Sequence, residues 1–100
     1  MPKARVTVPH ALGKQAAEQR LAHVIGELRE RYGGEVDDLE ESIVGGTRRF
    51  AFSARGFHIA GEMTVRDSEV AFECRLPLIA TAFKGRVESE VRTRLESLLA

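Results

Sequence analysis

Apolar residues occupy alternate positions through the middle of the chain: Phe50, Phe52 and Ala54, then Phe57, Ile59, Met63 and Val65, then Val70, Phe72, Cys74 and Leu76. Arg49, Ser53, His58, Glu62, Thr64, Arg66, Glu69, Glu73 and Arg75 stand between them. A repeat of two turns one side of a strand inward and the other to water. Residues 47–77 are therefore predicted to form three consecutive antiparallel strands. Arg55-Gly56 suits the first hairpin turn, because glycine supplies a positive φ at no steric cost. Asp67-Ser68 suits the second. With these turns Ala54 faces Phe57, Phe52 faces Ile59, Val65 faces Val70 and Met63 faces Phe72. On the wet side Arg49 opposes Glu62 and Arg66 opposes Glu69, both favourable cross-strand pairs. A slip of one residue would bury these charges, so the register is well specified.

The flanking segments follow other periods. Residues 5–8 form a short strand with Val6 and Val8 on one side, and Pro9, which has no N–H to donate, ends it. Over residues 14–32 the apolar positions are three and four apart: Ala17, Leu21, Val24, Ile25, Leu28 and Tyr32. This is one stripe of an amphipathic helix. Gly33-Gly34 is placed to cap it, and Gly26, which costs about 1 kcal/mol against alanine in a helix, implies close approach to the sheet. Residues 82–99 repeat the pattern with Phe83, Val87, Val91, Leu95 and Leu98, after Pro77 has broken the last strand. Residues 35–46 give the weakest signal. Leu39 and Ile43 suit the inner side of a further strand closed by Gly45-Gly46, yet Glu41 would then point inward too. The expected fold is a single α+β domain over residues 1–100. It has a mainly antiparallel four- to five-stranded sheet with two helices packed on one face, in the order β-α-β-β-β(-β)-α.

Fifteen Lys and Arg balance fifteen Asp and Glu, for a formal net charge of zero. Phosphate neutralisation normally demands a basic excess, so the balance weighs against a nucleic-acid partner. Zero net charge also permits self-association. The wet sheet face carries the small residues Ala51, Ser53, Ala60, Thr64 and Ala71, and it offers a flat surface for a homodimer. One cysteine excludes an internal disulfide. No stretch approaches the ~18 apolar residues of a membrane span, and the first residues contain no signal-peptide core. The expected location is cytoplasmic.

No reactive constellation is legible. Cys74 alternates in phase with Phe72 and Leu76, while His58 falls on the opposite side, so the two cannot form a dyad. The spacing of His10, His23 and His58 fits no metal-ligand motif. The acidic run Asp37, Asp38, Glu40 and Glu41 lacks the glycine and terminal glutamate of a calcium loop. No phosphate-cradling glycine loop is present. No catalytic residue, metal or cofactor is expected, and the chain reads as a non-enzyme. Two features stand apart. His10 sits on the loop between the first strand and helix, where a side chain can fix a turn. Leu76-Pro77-Leu78-Ile79-Ala80-Thr81-Ala82-Phe83 is a connection, yet nearly all apolar. Such a segment either tucks under its neighbours or leaves a patch for a partner.

Two stretches resemble a known family. Pro9-His10-Ala11-Leu12-Gly13, with the helix ending in Arg31-Tyr32-Gly33, is similar to the start of the small bacterial proteins of the polyhydroxyalkanoic acid system family. Leu76-Pro77-Leu78-Ile79, then Phe83-Lys84-Gly85-Arg86-Val87-Glu88, is similar to that family's closing strand, loop and helix. The resemblance implies a granule-associated, non-enzymatic accessory protein of polyhydroxyalkanoate storage, whose partners are the granule surface or granule proteins. It brings no catalytic residues with it. The candidate binding surface is then His10, Leu78, Ile79, Phe83, Lys84 and Gly85. Two other readings stay open. An RNA- or ribosome-binding module is one, since hibernation factors share the element order. A small hydrophobic-ligand carrier is the other, and it requires a pocket lined by His10 and Lys84.

Overall fold

A five-stranded antiparallel sheet in the order β1-β5-β4-β3-β2 forms the frame. The structure, a computed structural model, describes residues 3–24, 27, 30, 36–54 and 56–100. Its strands are β1 (Lys3–Pro9), β2 (Val36–Val44), β3 (Thr47–Ala54), β4 (Phe57–Val65) and β5 (Glu69–Arg75). The helices are α1 (Lys14–Leu21) and α2 (Lys84–Leu99), and a 3-10 turn, Leu78–Phe83, precedes α2. The α+β architecture and the element order follow the alternation.

The register is the one the turns dictate. Ala54 pairs with Phe57, Phe52 with Ile59 and Arg49 with Glu62. Val65 pairs with Val70 and Met63 with Phe72. Gly56 adopts φ 83° in the first of these turns; Arg55 lies outside the described residues. The Arg66 N–H donates to the Glu69 carbonyl at 2.9 Å across the second turn, and the two side chains pair at 3.2 Å.

β1 pairs antiparallel with β5, Val6 opposite Phe72 and Val8 opposite Val70, so the chain's first strand closes the sheet beside its last. The outer edge of β1 would expose unpaired backbone groups, a template for unwanted strand pairing. Side chains from α2 occupy it. Glu88 accepts from the Arg5 N–H at 2.8 Å, and Arg92 donates to the Thr7 carbonyl at 3.3 Å.

The core lies between the helices and the β1, β5 side of the sheet. Ala17 and Leu21 of α1 and Leu95 and Leu99 of α2 meet Val6, Val8, Met63, Val65 and Val70. Leu21 and Val70 are wholly buried, and each such side chain stabilises by about 1.5–3 kcal/mol. The α2 stripe differs from the sequence pattern at both ends. Leu99 joins the core, whereas Phe83 precedes the helix and is 57% exposed. The helix starts at Lys84, and the preceding 3-10 turn points Phe83 away from the sheet.

The first helix is shorter than its period suggests. α1 ends at Leu21 and a turn occupies Ala22 and His23, with helical backbone again at Val24, Glu27 and Glu30. Arg20 donates to the Leu98 carbonyl at 3.3 Å and to the Ala100 carbonyl. It thereby meets the electron-rich C-terminus of α2 with a cation. The stripe positions Ile25, Leu28 and Tyr32, the Gly33-Gly34 cap and Gly26 lie outside the described residues.

Residues 36–44 do form a strand, and Glu41 does point to the inner side. Its register partner is Phe50. Arg48, which shares the parity of Phe50 and Phe52, points inward beside it, and the two pair at 3.3 Å. The strand carries a bulge: Asp37 faces Ser53 and Glu40 faces Ala51, so two residues span the place opposite Phe52. Asp38 takes φ 55° there, a region aspartate tolerates better than most side chains.

Candidate functional site

The apolar connection resolves into an inward and an outward set. Leu76 is buried with Ala4 and Cys74, and Ala80, Val87 and Phe72 pack against them. This cluster anchors the turn at one end of the sheet. Leu78, Ile79 and Phe83 face out, 80%, 70% and 57% exposed. Three hydrogen bonds hold the turn. The Ala80 N–H donates to the Pro77 carbonyl at 2.9 Å. The Thr81 hydroxyl donates to the Leu78 carbonyl at 2.7 Å, and the Lys84 N–H donates to the Thr81 carbonyl. The result is an apolar tip held in shape by its own hydrogen bonds.

Lys84 and Gly85 follow at once, both exposed. A methyl group built on Gly85 would meet nothing within 4 Å, so packing does not require glycine there. Lys84 lines a shallow groove with Lys3, Arg5 and Glu88. Five of the six candidate residues thus share one end of the molecule.

His10 is at the other end of β1, about 20 Å away at ~3.3 Å per strand residue. Its contacts are within the fold. The Leu12 N–H donates to Nδ1 at 3.1 Å. Nε2 is then the protonated nitrogen, and it donates to the Arg66 carbonyl at 3.0 Å. The His10 N–H also donates to the Ser68 carbonyl at 2.9 Å. The side chain latches the β1–α1 loop to the β4–β5 turn. The groove beside this loop is lined by Leu12, Lys14, Glu18 and Asp67 among others; neither described groove joins His10 to Lys84.

Cys74 is 4% exposed, and burial pushes its thiol above the usual 9.0. It lies opposite Gly61 on the inner side, while His58 lies opposite Ser53 on the outer side. His23 and His58 are exposed. Among the described residues no group of three metal-ligating side chains converges, and no helix is long and apolar enough to cross a membrane.

Two inner-face features escaped the sequence reading. Phe50 stacks between Phe52, at 6.5 Å between ring centres, and Phe72, at 5.9 Å. Gly61 makes this possible. Any Cβ there would sit 2.7 Å from the Phe50 ring, 2.9 Å from Cys74 Cβ and 2.6 Å from the Glu73 carbonyl. A glycine interrupting an otherwise apolar parity was the available signal. The second feature is the Glu41–Arg48 pair. The parity of Arg48 was the clue to Glu41's partner.

The chain matches the family described as "Putative polyhydroxyalkanoic acid system protein" over residues 4–99. No curated protein matches it. Among solved structures it is similar to the protein TTHA0849 from Thermus thermophilus, at 14% identity over 98% of this chain and 92% of that one, with a TM-score of 0.35. It is also similar to the ZhuI aromatase/cyclase from a Streptomyces species, at 14% identity over 97% and 83%, with a TM-score of 0.36.

Proposed function

Since the chain belongs to the polyhydroxyalkanoic acid system protein family, we propose that it is a non-enzymatic accessory of polyhydroxyalkanoate storage that contacts granule polymer or granule proteins through its Leu78–Phe83 tip. The observation that carries this reading is the exposure of Leu78, Ile79 and Phe83 on one hydrogen-bonded turn. A stable fold gains nothing from holding three large apolar side chains in water. An apolar partner gains about 1.5–3 kcal/mol for each one it covers. The turn already bonds the Pro77, Leu78 and Thr81 carbonyls internally, which lowers the cost of covering it.

Co-sedimentation with purified granules is the test. Wild-type protein is expected in the granule fraction, and Ile79→Asp is expected to lose at least about tenfold in retention, from the apolar contact given up. Equal retention of a folded Ile79→Asp variant would overturn the reading.

A further inference from the structure

We propose that this tip also docks on a lipid surface bearing anionic headgroups. Leu78, Ile79 and Phe83 enter its apolar layer while Arg75 and Lys84 bind the headgroups. The inference rests on the reading of Leu78–Phe83 as the contact surface and adds a second surface that it meets.

The distribution of charge around the tip carries it. Residues 76–83 contain no charged side chain, and Lys84 and Arg86 follow directly. Lys3 and Arg75 are register partners at the strand ends that lead into the turn, and Lys3 shares a groove with Lys84. Two of the three nearby acids are already paired with cations. Glu73 pairs with Lys3 and Arg5, each at 3.3 Å. Glu88 accepts from the Arg5 N–H, and Glu90 pairs with Arg86 at 3.2 Å. Arg75 and Lys84 enter no ion pair among the described residues. The position of Lys84 and Arg86 is itself informative. The first turn of α2 holds no acidic residue, although the positive end of a helix favours anions. Arg86 is accounted for by its i, i+4 pair with Glu90, but no ion pair among the described residues accounts for Lys84. An apolar wedge rimmed by cations is the pattern of a peripheral protein at an anionic interface.

The experiment is vesicle flotation with the full chain, comparing phosphatidylglycerol–phosphatidylcholine vesicles with pure phosphatidylcholine. Lipid-free polyhydroxyalkanoate particles form a parallel arm, and thermal melts check that each variant is folded. Binding to the anionic vesicles is expected to fall with added salt and to exceed binding to phosphatidylcholine at least tenfold. Lys84→Glu and Arg75→Glu are each expected to weaken it about fivefold or more, as a basic side chain near such a surface does. Ile79→Asp is expected to weaken it at least about tenfold. Equal binding to both vesicle types, or an unchanged Lys84→Glu, overturns the headgroup proposal. Retention on lipid-free particles without vesicle binding also overturns it and leaves the granule reading standing. Failure to bind either surface removes both.

Discussion

On the β1, β5 side of the sheet, inner side chains are sealed. Val6, Val8, Val65 and Val70 are all at or below 3% exposure beneath α1 and α2. Across β2 and β3, no described side chain is buried. Phe50 and Phe52 are half-buried, Phe57 across the hairpin on β4 is 42% exposed, and a Glu41–Arg48 pair stands among them. The first region is held by filled volume. The second is held by ring stacking, a glycine hole and an ion pair. The contrast shows that period-two alternation marks which side a residue takes and not how deeply it is covered. Depth depends on where the helices lie.

Removing volume from the sealed half should have the largest effect. Leu21→Ala is expected to cost about 2–5 kcal/mol, measured by denaturant unfolding; a loss below about 1 kcal/mol would mean that α1 is not packed as described. Filling the glycine hole comes next. Gly61→Ala is expected to cost about 1–3 kcal/mol through overpacking. A double-mutant cycle with Phe50→Leu should be non-additive, since the ring is one of the atoms in the way. Additive losses would separate Gly61 from the aromatic row.

The His10 latch should follow. His10→Ala removes two side-chain hydrogen bonds, each worth about 0.5–1.5 kcal/mol, and should lower the melting temperature without altering granule retention. Smaller again is the ion pair. Arg48 and Glu41 side chains are 16% and 29% exposed, so the pair retains enough solvent that a double-mutant cycle should return about 1 kcal/mol or less. The smallest stability effect is expected at the tip. Leu78→Asp and Ile79→Asp should change unfolding free energy by about 0.5 kcal/mol or less, although Ile79→Asp is expected to lose at least about tenfold in granule retention.

Much of the fold was legible because the middle strands obey a strict parity and their turns fix the pairing. Cys74 and His58 were placed on opposite faces by that rule alone. Residues 36–44 resisted because the Asp37–Glu40 bulge breaks the parity in mid-strand, and an inward glutamate reads as an error until Arg48 is paired with it. Phe83 falls outside α2 although it stands four residues before Val87, because that spacing does not reveal that the chain is still in the 3-10 turn there and enters the α-helix only at Lys84. At the site, the apolar connection was visible in composition. Its outward orientation was not, because Leu76 and Leu78 are chemically alike. Only the Ala4–Cys74–Leu76 cluster decides which of them turns in.

The most direct check puts a polarity-sensitive dye on the tip. In a Cys74→Ala background, Ile79→Cys carries the dye in one sample and Ser97→Cys, exposed on α2, in another. On adding purified granules, emission from position 79 should shift to the blue while that from position 97 stays unchanged. Granule-bound protein in which position 79 stays water-like would contradict the account.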